Sequence, residues 1–151
     1  MELSTGEKLL KNTAFVYAAL FIGAVAVFIF APGPLLSVIN ALSSAFFPSL
    51  PPAGDSGKFW LSMTVSMMAT IIALSLFIYR DVRRYYMMAV PLMVAKFTSS
   101  FLGLAFFLAG IVNPQFSTHT LANLVIFISD FPLGLFLLFV WKRVHVIRQG
   151  L

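Results

Sequence analysis

Two charged residues, Lys96 and Asp130, sit deep inside long apolar runs. A lysine and a carboxylate in such surroundings can form an ion pair, relay a proton or hold a charged ligand. Lys96 lies 12 residues past Arg84, and Asp130 lies 12 residues before Lys142. If both runs are helices crossing a bilayer in opposite directions, each charge sits about 18 Å from the same basic surface, at ~1.5 Å rise per residue. Either charge alone costs about 2.5–3.5 kcal/mol at a helix centre, and a shared depth lets one offset the other. The spacing predicts an intramembrane Lys96–Asp130 contact, direct or water-bridged. Ser99, Ser100, Ser129 and Asn123 are close enough in sequence to form its polar shell.

Other chemistries read less well from the same residues. Lys96 with Ser99 or Ser100 has the composition of a serine–lysine nucleophile, because burial can depress a lysine pKa. An aspartate at the same depth instead holds the lysine protonated, and serines inside membrane helices commonly hydrogen-bond the backbone or a neighbouring helix. His119 and His145 are 26 residues apart, at opposite ends of one run, so they cannot share a metal or a haem. Cysteine is absent, which removes thiolate ligands and nucleophiles. Met63, Met67 and Met68, with Met87, Met88 and Met93, fall on several helix faces and suit adaptable packing better than a soft-metal path. The sequence predicts no catalytic residue, no metal and no cofactor.

The elements that position the pair are set by composition. Hydrophobic residues make up 60% of the 151 residues and charged residues 10%, with a mean hydropathy of +0.98. A soluble domain carries about 25% charged residues, and a chain this short cannot hide so much apolar surface from water. Lipid is therefore the expected solvent. The net charge of +5 does not point to nucleic acid, because the basic residues cluster at the ends of apolar runs rather than on a solvated face.

Four runs are long enough to cross a hydrocarbon core of about 30 Å: residues 13–31, 59–79, 87–109 and 119–141. The first is longer than a signal-peptide core and lacks a small-x-small cleavage pattern. Ser4 and Glu7 ahead of it have capping-box spacing. Lys8, Lys11, Arg80, Arg83, Arg84, Lys142, Arg143 and Arg148 fall on one side of this layout and Lys58 on the other. The positive-inside rule then places both termini and the 80–84 turn in the cytoplasm, as in a bacterial cytoplasmic membrane protein. In the first outer loop, Ser37, Asn40 and Ser44 lie on one narrow face of residues 35–47, which predicts a short helix in the outer interface. The fold expected is one all-α domain, a four-helix transmembrane bundle.

Membrane helices approach through small residues, so four stripes are expected to line the interior. They are Ala19, Gly23 and Ala26; Ser62, Ser66, Ala69 and Ala73; Lys96, Ser99, Ser100, Gly103 and Gly110; and His119, Asn123, Asp130 and Gly134. Most of the 17 phenylalanines are expected to face outward. Pro132 cannot donate to the Ile128 carbonyl, which predicts a kink and a second acceptor for Lys96.

No reaction signature follows, so the function expected is that of a non-catalytic accessory or assembly subunit of a larger membrane complex. Its partners would be lipid and other integral-membrane subunits or further copies of itself. A small transporter or channel for protons or an organic anion, working through Lys96 and Asp130, is the alternative. A lipid- or quinone-binding protein is the third reading.

Overall fold

A computed structural model describes residues 2–49, 58–113 and 120–149. Six α-helices follow one another: α1 (Thr5–Phe30), α2 (Pro32–Phe46), α3 (Lys58–Arg80), a single turn α4 (Val82–Tyr85), α5 (Ala89–Val112) and α6 (Thr120–Gln149), with a 3₁₀ turn at Tyr86–Met88 joining α4 to α5. No strand occurs among the described residues. Four segments are long and apolar enough to cross a membrane: Thr5–Phe30, Ser62–Arg80, Val82–Val112 and Leu121–Val146.

Local chemistry sets the helix ends. Ser4 and Glu7 form the expected capping box: the Glu7 amide donates to Ser4 Oγ at 3.2 Å, and the Ser4 amide donates to Glu7 Oε2 at 2.9 Å. The first helix therefore starts at Thr5, eight residues before the apolar run. It stops at Ala31 because Pro32 disfavours helical backbone in the residue before it. The same proline is well placed at the start of α2, where its missing N–H would have had no helical acceptor. Asp81 caps α4 by accepting from the amides of Arg83 and Arg84 at 3.1 and 3.2 Å.

α1 packs along α3, and α5 packs along α6. The two pairs are joined mainly where α1 meets α6, while α2 rests against α1 and α6. An ion pair between Arg83 Nε and Glu7 Oε1 at 3.3 Å ties the start of α1 to the α3–α5 turn, and Arg83 Nη2 also donates to the Glu2 carbonyl. The main core combines Leu10, Ala14 and Tyr17 with Ile71, Ile78 and Val82, and Ala89, Leu92 and Met93 with Leu137, Val140 and Val144. Every one of these lies in the half of the bundle nearer the Arg80–Arg84 turn.

The described residues of two expected interior stripes line the α5–α6 seam, and the other two stripes face outward. A Cβ on Gly103 would lie 2.7 Å from the Asn123 carbonyl oxygen, and one on Gly134 would lie 3.2 Å from the Phe97 ring. Small side chains at these points permit the backbones to approach closely. By contrast, Ala19, Gly23 and Ala26 on α1 are exposed, as are Ser62, Ser66, Ala69 and Ala73 on α3. The inward face of α1 is Leu10, Ala14, Tyr17 and Ala18, and that of α3 is Ile71, Ser75 and Ile78. The physical reason is that small size marks a face suited to close approach without saying whether the approaching helix belongs to the same chain.

Candidate functional site

The α5–α6 seam brings Lys96 and Asp130 together. Lys96 Nζ lies 2.6 Å from Asp130 Oδ1, with the two side chains 3% and 17% exposed. Lys96 is fixed by its place on the buried face of α5, one turn from Leu92 and Ser100. Asp130 sits one turn before Gly134, where an added Cβ would lie 3.4 Å from the Lys96 Cβ and 3.2 Å from the Phe97 ring. Close backbone approach at Gly134 thus lets the lysine reach across the seam.

The second carboxylate oxygen, Oδ2, lies 2.5 Å from Ser99 Oγ. Ser99 Oγ is also 3.0 Å from the Lys96 carbonyl, but a hydroxyl has one proton, and the shorter, charge-assisted bond to the carboxylate takes it. Ser100 Oγ donates to the Lys96 carbonyl at 2.8 Å and so braces the helix rather than the charge. Ser129 is exposed and turns back to the Ile126 carbonyl at 3.2 Å. Its expected place in the polar shell is corrected, because one residue along a helix turns a side chain about 100° away from Asp130. Asn123 lies seven residues from Asp130, about 10.5 Å along the axis, and its backbone carbonyl meets Gly103. His119 falls outside the described residues.

The first helix completes the site with two residues that the spacing argument did not select. The Lys96 ammonium sits 4.1 Å from the centre of the Phe21 ring, a cation–π contact that supports the charge on its remaining side. One turn earlier, Tyr17 donates from its hydroxyl to the Leu133 carbonyl at 2.7 Å. α6 continues as helix through Pro132. The Ile128 carbonyl is not the second acceptor for Lys96; Ile128 is 61% exposed, and the ammonium is occupied by the carboxylate and the Phe21 ring. Depth was the signal available for Phe21: it stands ten residues past Lys11, close to the depth of Lys96.

The arrangement is tightly paired, with Lys96 buried and Asp130 partly exposed. Both carboxylate oxygens have a donor, and the lysine has an anion on one side and a ring on another. A lysine held in this way does not act as the base for Ser99, whose proton is already committed to Asp130. Aromatic packing seals one flank: Phe131 meets Phe97 and Phe101 edge-on at 6.2 and 6.1 Å and stacks on Phe127 at 5.5 Å. Among the described residues no group of three His, Asp or Glu side chains could hold a metal. At the basic end, His145 stacks on Trp141 at 4.6 Å, with Tyr86 6.3 Å away. Comparison with protein-family models, curated proteins and solved structures finds no match for the chain.

Proposed function

We propose that the chain is a multi-pass membrane protein that serves as a non-catalytic assembly subunit, with both termini in the cytoplasm and α2 lying in the outer interface. The observation that carries this reading is the outward face of the α1–α3 pair. Gly23 is nine residues from the core residue Ala14, and Ser66 is nine residues from the core residue Ser75, so each points about 180° away from the core at 3.6 residues per turn. α1 and α3 pack along one another, and Phe15 of α1 meets Tyr79 of α3 at 5.3 Å. The small-residue stripes of α1 and α3 both lie on exposed surface, turned away from the core. A surface that meets only lipid tails has no need of alanine, glycine and serine at helical spacing, whereas a docked helix does.

The Lys96–Asp130 pair fits this reading as a device that fixes how α1, α5 and α6 meet. Buried pairs can specify geometry without adding stability. The second reading, a carrier of protons or an organic anion, draws support from the 17% exposure of Asp130. Purification in mild detergent separates the two. Stoichiometric companion polypeptides support the assembly subunit; a lone particle that carries ions or protons in liposomes supports the carrier and sinks the first reading.

A further inference from the structure

We infer that the cytoplasmic end of the bundle carries a binding groove for one anionic phospholipid, between the first turn of α1 and the last turns of α6. The groove has a volume of about 460 Å³ and is lined by Thr5, Gly6, Phe139, Lys142, Arg143 and Val146. Its lining is apolar, and two cationic side chains stand at its rim. Phe139 and Val146 are apolar and half exposed, at 51% and 46%, and form a wall of acyl-chain character. Lys142 and Arg143 are exposed at the mouth, and the Arg143 guanidinium lies 4.4 Å from the centre of the Phe139 ring. That contact holds one cation directly above the apolar wall.

Charge complementarity selects the occupant. No carboxylate lines the groove, and the nearby Glu7 is turned away to Arg83 and Ser4. Lys142 and Arg143 thus stand at the rim of an apolar groove with no carboxylate among its lining residues. A zwitterionic lipid would bring its own cation to this mouth, while a phosphatidylglycerol-type headgroup would not. Basic side chains at a membrane surface favour anionic lipid by about 1 kcal/mol each, which for two residues is a preference of about thirtyfold.

This inference rests on the membrane-spanning reading, and the test keeps the two apart. The full chain is extracted from membranes, and native mass spectrometry is used to titrate phosphatidylglycerol against phosphatidylcholine. The expected result is a single retained phosphatidylglycerol with about thirtyfold preference. The preference disappears in Lys142→Gln/Arg143→Gln and survives in Arg80→Gln/Arg84→Gln, which removes the same charge from the same end of the bundle. Val146→Trp fills the groove with both cations intact and should also release the lipid. Equal losses in the two double variants, or an unaffected Val146→Trp, would overturn the site in favour of diffuse attraction. Retention of free glycerol phosphate as strongly as the whole lipid would overturn the role of the apolar wall. Extraction without any lipid preference defeats this inference alone; absence of the chain from the membrane fraction defeats the spanning reading and this inference with it.

Discussion

The two halves of the bundle are built from similar residues and packed very differently. Near the Arg80–Arg84 turn, Leu10, Ile78, Leu92, Leu137, Val140 and Val144 are almost completely enclosed, and the start of α1 is fastened to the turn through Glu7 and Arg83. Toward the other end, enclosure is confined to points such as Gly103, Gly110 and Ser43. A Cβ added at Gly23 would meet nothing within 4 Å. Phe30 and Val112 at the helix ends are 84% and 86% exposed. On the membrane-spanning reading, association is driven by close packing and polar contacts rather than by escape from water, and a half that lacks close packing then holds itself together weakly. Lys96, Asp130 and Tyr17 stand near the boundary, where α1 meets the α5–α6 pair.

The pair should be where this contrast breaks most easily. Lys96→Met or Asp130→Leu leaves one uncompensated charge, a loss of about 3–5 kcal/mol, and should sharply lower thermal stability in detergent. The double variant should recover much of that stability. Single-variant costs that simply add would show that the two residues do not couple, and the boundary would have to be placed elsewhere. Recovered stability with lost activity would instead mark the pair as a working site.

A smaller effect is expected in the α5–α6 seam. Gly103→Ala places a methyl 2.7 Å from a backbone carbonyl that cannot rotate away, and overpacking of this kind costs about 1–3 kcal/mol. The same change at Gly23 has open space around it and should leave the melting temperature of the isolated protein unchanged or slightly raised, because alanine is the better helix former. If both alanine variants melt alike, the difference in packing between the two faces is not real. Tyr17→Phe should cost less again, about 0.6 kcal/mol for one hydrogen bond between membrane helices. A loss as large as that of Lys96→Met would mean that the Leu133 carbonyl needs its donor far more than the continuous helix suggests.

Several of these features were legible in the sequence, for reasons that also explain what was not. Long apolar runs mark the part of a helix that suits lipid, so four long helices emerged at about the right places. The helices α1 and α6 extend eight residues beyond those runs, to Thr5 and Gln149, because backbone hydrogen bonding continues through polar residues until a cap or a break intervenes. Equal depth singled out Lys96 and Asp130, since a charge far from water restricts where its partner can stand. Depth carries no information about direction around the axis, so it groups Ser129 with the pair although Ser129 faces away. Tyr17 and Phe21 carry no signal of their own, because an aromatic residue in an apolar run looks like any other apolar residue until a cation or a carbonyl is known to lie opposite. Small residues on α1 and α3 predict an inward face because a small residue invites a helix; it does not name that helix.

Crosslinking in native membranes tests the account most directly. The chain contains no cysteine, so Gly23→Cys, Ser66→Cys and, as a control on the exposed surface of α6, Phe136→Cys each supply one reactive site. The assembly-subunit reading predicts that Gly23→Cys and Ser66→Cys capture the same companion polypeptide in high yield while Phe136→Cys does not. Equal labelling from all three positions, or no protein captured from Gly23→Cys and Ser66→Cys, would contradict it.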